Sequence, residues 1–321
     1  MRIFITGATG FAGSHLVDHL LAEGHQIFAL VHPATSHQQL PAHPQVRKIL
    51  GDLLNLASLK RAVAEAGPNV IYHLAGQASP AVSWKDPAFT LAVNAGGTAN
   101  LLEAAVSFGR PRVVIVSSAE IYGRIHEDML PLTEETIPDP RHPYGISKVA
   151  AGQLVPIYWE RYQLPVFEAR PFNHIGPRQT TGFVVPDFAS QLAAIKLGQK
   201  KARISVGNLD AERDFTDVRD VVAAYIKLAE SGRPGETYLI CSGQAVTIRH
   251  MLDTLIELAQ VEVQVNQDPA RIRPSDTPCL YGSYAKIEEH TAWRPQISLR
   301  QSLADALRDW VERLRKTSFP A

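Results

Sequence analysis

The first thirteen residues constrain this chain more than any other stretch. An apolar run, Ile3-Phe4-Ile5, leads directly into Thr6-Gly7-Ala8-Thr9-Gly10-Phe11-Ala12-Gly13, and an amphipathic segment follows. This predicts a buried strand, a tight turn and the start of a helix. Glycines spaced three apart let the backbone turn without Cβ clashes, approach a bound pyrophosphate and pack the new helix closely on the strand. The helix start then offers N–H groups and the positive end of its dipole to phosphate oxygens. Because the spacing is G-x-x-G-x-x-G rather than G-x-G-x-x-G, the stretch alone also fits a plain strand-to-helix turn.

With 321 residues the chain can form one large α/β domain or two coupled ones. Its 32 basic and 32 acidic residues cancel, which gives no support for a nucleic-acid or membrane-surface partner. Only Cys241 and Cys279 occur, too few for a disulfide framework and suited to a reducing compartment; both read as buried small hydrophobes. No apolar run reaches the ~18 residues of a membrane span, and the apolar start is too short for a signal peptide. A soluble cytoplasmic protein is expected. The twelve histidines show no ligand spacing, so no metal site is expected.

Taken in order, Leu16, Val17, Leu20 and Leu21 repeat at helical spacing, Gly24 ends the helix, and Ile27 to Val31 reads as the second strand. The strand ends on Val31-His32-Pro33, with no carboxylate to repel a ribose 2′-phosphate. His32, with Arg47 or Lys48 nearby, could assist one, or be an ordinary polar surface residue; NADP(H) is thereby favoured over NAD(H). Val46 to Leu50 is a third strand, and Asp52 after it is placed either to bond an adenine amino group or to cap the next helix. Val70 to Leu74 reads as a strand buried on both faces, in which His73 is a satisfied core histidine rather than a ligand. Ala75-Gly76 then lets a cofactor lie close to the backbone. A long amphipathic helix is predicted over Phe89 to Phe108, where Asn94 could bond a neighbouring backbone or hold a water.

The strand Val113 to Val116 delivers Ser117-Ser118-Ala119-Glu120 to the carboxyl edge, where open α/β sheets bind ligands. After a proline-rich loop comes Tyr144-Gly145-Ile146-Ser147-Lys148 at a helix start. Residues four apart share a helix face, so Tyr144 and Lys148 point the same way. An ammonium beside a tyrosine favours its phenolate, and a hydroxyl from Ser118 can fix a substrate oxygen. Tyr-x-x-x-Lys is common by chance; after a Gly-rich turn and a serine-bearing strand end it is specific.

Gly7, Gly10, Gly13, Asp52, Leu74-Ala75-Gly76, Asn94, Ser118, Tyr144 and Lys148 together resemble the extended short-chain dehydrogenase/reductase family, its nucleotide-sugar branch, over essentially the whole chain. The second half is similar to GDP-4-dehydro-6-deoxy-D-mannose reductases, with GDP-mannose 4,6-dehydratases as the sister group. The similarity runs through Arg170-Pro171-Phe172-Asn173-His174-Ile175-Gly176-Pro177, Val206-Gly207-Asn208, Arg213 to Asp220, Cys241-Ser242-Gly243 and Arg273-Pro274-Ser275.

The resemblance implies a doubly wound Rossmann sheet over 1–172 and 217–242 and a smaller substrate lobe over 173–216 and 243–321. Gly7, Thr9, Gly10, Phe11, Ala12, Gly13, His32, Asp52 and Leu53 would hold a nicotinamide dinucleotide, together with Leu74, Ala75, Gly76, Asn94, Ser117, Tyr144, Lys148 and Pro171. Gln77, Ser118, Glu120, Asn173, Val184, Lys196, Asn208, Arg213 and Arg273 would face a GDP-linked 6-deoxyhexose. Arg213, Arg271 and Arg273 stand out in a neutral chain, and arginine forks suit a diphosphate. Ser118, Tyr144 and Lys148 would be catalytic. Glu120 joins them as a catalytic candidate and leaves two activities open: in the dehydratases a Glu at this place removes a sugar proton, whereas here it could equally be a structural contact or bond a sugar hydroxyl. A homodimer through the helices around Phe89 to Phe108 and Tyr144 to Tyr162 is implied as well.

Overall fold

A computed structural model describes residues 1–34, 40–269 and 277–318. The first half alternates strand and helix: β1 (Arg2–Thr6), α1 (Phe11–Ala22), β2 (Gln26–Val31), β3 (Val46–Leu50), α2 (Leu56–Ala66) and β4 (Val70–His73). Short helices α3 (Pro80–Ser83) and α4 (Pro87–Leu91) follow, then α5 (Gly97–Ser107), β5 (Arg112–Val116), α6 (Pro143–Tyr162) and β6 (Val166–Pro171). Beyond it lie β7 (Asn173–Ile175), α7 (Val184–Lys196), β8 (Arg203–Val206), β9 (Glu212–Asp217), α8 (Val218–Ser231) and β10 (Thr237–Ile240). The chain finishes with β11 (Ala245–Thr247), α9 (Ile248–Ala259), β12 (Gln264–Gln267), β13 (Cys279–Leu280), α10 (Ala285–Thr291) and α11 (Leu299–Ser318).

Seven strands form one parallel sheet in the order β10-β6-β5-β4-β1-β2-β3. This is the doubly wound Rossmann arrangement, and its order reverses between β1 and β4. Register aligns the carboxyl ends there: Thr6 pairs with His73, and His73 with Ile115. Ile3, Phe4 and Ile5 are fully buried because helices cover both faces. Leu16, Val17 and Leu20 of α1 pack with Val221 and Tyr225 of α8 on one side; Leu59, Leu101, Leu102 and Val155 of α2, α5 and α6 pack on the other. Ile287 of α10 and Trp293 after it join the α1/α8 layer.

A third apolar cluster lies apart from these layers, assembled from Phe188 and Leu192 of α7, Met251 and Leu255 of α9, and Leu303 and Leu307 of α11. Beside it β9 is the hub of a second sheet, pairing with β7, β11 and β13.

The uninterrupted helix predicted over Phe89 to Phe108 is instead broken. Residues Ala92–Gly96 form a π-helical turn between α4 and α5. A π turn inserts extra backbone and rotates the residues it carries, and such turns cluster at functional positions. Here it carries Asn94, whose amide group is fully occupied by contacts outside its own helix.

Candidate active site

At the carboxyl end of β1, Gly7 has φ +76°, and a Cβ there would lie 2.6 Å from the Ala75 nitrogen, so the turns after β1 and β4 touch backbone to backbone. A Cβ on Gly13 would lie 2.0 Å from the Gly7 carbonyl oxygen. Helix α1 begins at Gly10 without a side-chain cap and without a carboxylate in its first turn. Its first intrahelical bond runs from Ser14 N–H to Gly10 O at 2.9 Å. The N–H groups of Phe11, Ala12 and Gly13 therefore have no acceptor within the helix, which leaves them for an anion. A Cβ on Gly76 would meet Asn94 Oδ1 at 2.6 Å and come within 3.9 Å of Lys148 Nζ, a cradle open only because residue 76 is glycine. These features fit a dinucleotide laid across the switch point with its phosphates on α1.

A directed chain of hydrogen bonds holds this edge together. The Thr98 hydroxyl donates to Asn94 O (2.6 Å), so it must accept from His73 Nε2 (3.0 Å), which leaves His73 Nδ1 to accept from the Thr6 hydroxyl (2.7 Å). Burial, aided by the Lys148 charge, pushes His73 down to about 3, so it stays neutral. It is a satisfied core histidine joining β1, β4 and α5. Asn94 Oδ1 accepts from Gln77 N–H (2.8 Å), while its Nδ2 donates to Gln77 O (3.0 Å) and to Ser147 Oγ (2.9 Å). Of the two roles weighed for Asn94, the contacts match the backbone one. Asp52 accepts from Leu54 N–H at 2.9 Å in a local turn, and Asn55 caps α2 by accepting from Ser58 N–H. The capping alternative for Asp52 is thus corrected: three residues separate it from the first turn, and Asn55 is in place.

Ser118 follows β5, and α6 presents Tyr144 and Lys148 towards it; all three are buried. Lys148 Nζ donates to Val116 O at 2.8 Å and sits 5.9 Å from the Tyr144 ring centre. Burial pushes Lys148 down to about 8, opposed by the Glu168 carboxylate. Tyr144 is pushed up to about 12, chiefly by burial and further by the Glu120 charge, while the Ser118 hydroxyl works the other way. The expected lowering of Tyr144 by its lysine is therefore not what this chain produces by itself. Burial of the hydroxyl sets the direction, and the Lys148 ammonium spends its bond on the Val116 carbonyl. The arrangement is a protonated tyrosine and a readily titrated lysine at one edge.

Glu120 faces this cluster from the turn after Ser118, whose Oγ accepts from Glu120 N–H at 3.2 Å. Its carboxylate accepts from His142 Nε2 at 3.1 Å. Arg213, on β9, feels the Glu120 charge, and burial lowers its own pKa; it donates to the carbonyls of Glu212 (2.7 Å) and Pro278 (3.3 Å). Asn173 on β7 donates to Asp214 O at 3.4 Å beside it. Gln77 spends its amide on Ser79 O (2.9 Å) and Thr90 Oγ1 (3.3 Å).

Other candidates stand farther out. Val184 opens α7, whereas Lys196 closes it, about 18 Å away along a helix of this length; its ammonium donates to Ala259 O at 2.9 Å. Asn208 accepts from Asp210 N–H in a turn after β8. Thr9, His32 and Leu53 sit at the ends of β1, β2 and β3, and Leu74, Ser117 and Pro171 at those of β4, β5 and β6. Arg271 and Arg273 lie outside the described residues.

Two features escaped the sequence reading. His142 is the N-cap of α6, and a polar residue before Pro143 was the signal available. Beneath the site Arg170 makes a bidentate pair with Glu168 (3.2 and 2.8 Å) and donates to Tyr122 OH (2.8 Å). The i, i+2 spacing of Glu168 and Arg170 on one strand face was the available signal.

A family model described as GDP-mannose 4,6 dehydratase matches residues 4–306. The chain is 40% identical over 316 residues to GDP-6-deoxy-D-mannose reductase of Pseudomonas aeruginosa, covering 98% of this chain and 99% of that one. It is 29% identical to GDP-mannose 4,6-dehydratase of Sinorhizobium fredii, covering 98% and 97%. Among solved structures, RMD from Pseudomonas aeruginosa complexed with NADPH superposes with a TM-score of 0.86 at 37% identity, covering 98% of this chain and all of that one.

Proposed function

The chain belongs to the GDP-mannose 4,6-dehydratase family, and from that premise we propose that it reduces the C4 ketone of GDP-4-dehydro-6-deoxy-D-mannose to GDP-D-rhamnose, with NADPH as the favoured donor and NADH as the alternative. Family membership makes it an oxidoreductase of the GDP-sugar reductase and dehydratase group. The reductase reading is supported by the higher identity to a reductase, 40% against 29% for a dehydratase. It is carried by one observation: Ser118, Tyr144 and Lys148 are buried together at the carboxyl edge of the sheet, with Lys148 Nζ 5.9 Å from the Tyr144 ring centre, the set that can pass a proton to a ketone oxygen.

The N–H groups opening α1 and the gap over Gly76 would hold the cofactor, which when bound supplies a hydride to the ketone carbon. Tyr144 gives its proton to the ketone oxygen, so that one hydride and one proton make the alcohol. Ser118 donates a hydrogen bond to the same oxygen and orients it. Lys148, charged below about pH 8, compensates the phenolate that Tyr144 becomes. Asn173, Arg213 and the segment carrying Arg273 would bind the sugar diphosphate.

A second reading, dehydration of GDP-mannose with Glu120 as base, rests on the carboxylate facing the same cluster. Incubation with GDP-mannose in one tube, and with the keto sugar plus NADPH in another, separates the two. GDP-rhamnose formed only in the second supports reduction; keto sugar formed in the first makes Glu120 a working base.

Among the described residues no helix is long and apolar enough to cross a membrane, and the enzyme would act in the cytoplasm. Trp84, Phe89, Ile146 and Ile157, on α4, α6 and the turn before them, expose apolar surface, and α4 packs on α6. This face would pair two copies of the chain. Light scattering should give twice the mass of one chain, and Phe89→Glu with Ile157→Glu should give a monomer.

A further inference from the structure

The N-cap of α6 is a histidine, and both of its ring nitrogens are used. Nδ1 accepts from Gly145 N–H at 2.9 Å. The neutral ring's proton must then be on Nε2, which donates it to Glu120 at 3.1 Å. His142 therefore joins the turn that carries Ser118 and Glu120 to the helix that carries Tyr144 and Lys148. Its ring lies nearly parallel to that of Tyr144, with centres 6.0 Å apart at 26°. The joint is tight, since a Cβ on Gly145 would sit 2.9 Å from Glu120 O and 3.2 Å from the His142 ring.

The two ends of this contact differ in access. The His142 side chain is 16% exposed and that of Glu120 is 43% exposed. One carboxylate oxygen is tied back to the protein, and the rest of the group stays partly open to solvent. A carboxylate so held accepts hydrogen bonds, with its direction set by a ring that is itself fixed at the helix start. On the reading proposed above, the groups within its reach are the hydroxyls of the sugar.

We propose that His142 is a positioning residue acting through Glu120: it aims the Glu120 carboxylate at a hydroxyl of the 6-deoxy sugar and so sets the affinity for the nucleotide sugar. This rests on the reductase reading.

The test is a double-mutant cycle. His142→Asn keeps an acceptor for Gly145 N–H but is too short to reach Glu120; Glu120→Gln keeps shape but removes the charge. For the wild type, each single variant and the double variant, KM and kcat for GDP-4-dehydro-6-deoxy-D-mannose are measured at saturating NADPH. The NADPH Kd is read by fluorescence and Tm by calorimetry. Expected are a KM raised about tenfold in each single variant, kcat within about twofold and unchanged NADPH Kd and Tm for His142→Asn, and a double variant whose KM is no higher than that of either single. Multiplying effects on KM, or an unchanged KM in His142→Asn, would overturn the role of His142 while leaving the reductase intact. A wild type inactive on the keto sugar would instead overturn the reductase reading and, with it, this role.

Discussion

At the scale of single residues, burial is the largest influence on both Tyr144 and Lys148. Tyr144 and Lys148 are moved in opposite senses, each towards its neutral form. Tyr144→Phe removes the proton donor and nothing that touches a pyrophosphate. It should lower kcat about 10²- to 10⁴-fold while still binding NADPH in a fluorescence titration; full turnover would exclude Tyr144 as the donor. Lys148 should lose its proton as pH rises through about 8. Below that pH the ammonium is present to compensate the Tyr144 phenolate, and above it the compensation is gone. Turnover should therefore fall on the alkaline side of a pH-rate profile from about pH 8. A profile flat to pH 10 would detach Lys148 from the rate.

At the scale of elements, the turn between β1 and α1 is the piece with no room to change. Gly13→Ala would press a Cβ to 2.0 Å from a backbone oxygen, and the turn can relieve that only by opening. The variant should bind NADPH at least tenfold more weakly, and melt several degrees lower, in a titration and a thermal scan. Wild-type affinity would show that the glycine spacing is incidental. The π turn before α5 works in the same direction from the other side. It brings Asn94 to the Gln77 backbone and Ser147, tying the loop after β4 to α6. Strand, turn and helix starts were legible here because glycine sterics and apolar runs act within a few residues. The π turn was not, since the bonds of the Asn94 it carries reach Gln77 and Ser147, 17 and 53 residues away.

At the scale of the whole molecule, Asp214 of β9 binds the segment leaving β10. Its fully buried carboxylate accepts from Ser242 N–H and Oγ–H, both at 2.7 Å, and from Gly243 N–H at 3.0 Å. That joins the second sheet to the seven-stranded one. Asp214→Ala leaves the Ser242 and Gly243 N–H groups without this acceptor and the Ser242 hydroxyl with only Gln244 O at 3.4 Å, at about 1–3 kcal/mol for each donor left buried and unpaired. Tm should drop by about 6 °C or more, and KM for the nucleotide sugar should rise. A variant as stable as the wild type would mean that the two sheets are held together elsewhere. Arg219 adds a second tie across the molecule, bonding Asp217 of β9 (2.7 Å) and Asp305 of α11 (2.8 Å).

What the sequence determined by itself was what local physics can encode. The parallel strands follow from apolar runs, the phosphate turn from glycines three apart, and the shared face of Tyr144 and Lys148 from the helical period. Only the tertiary structure decided what depends on chain segments meeting. Glu120 and His142 are 22 residues apart and belong to different elements. Asp214 and Ser242 are 28 apart, the first on the hub strand of the second sheet and the second just after the edge strand β10 of the other. Tyr144 was the sharpest case: its lysine neighbour was readable from the spacing, but the burial that pushes its pKa up comes from everything folded around the ring.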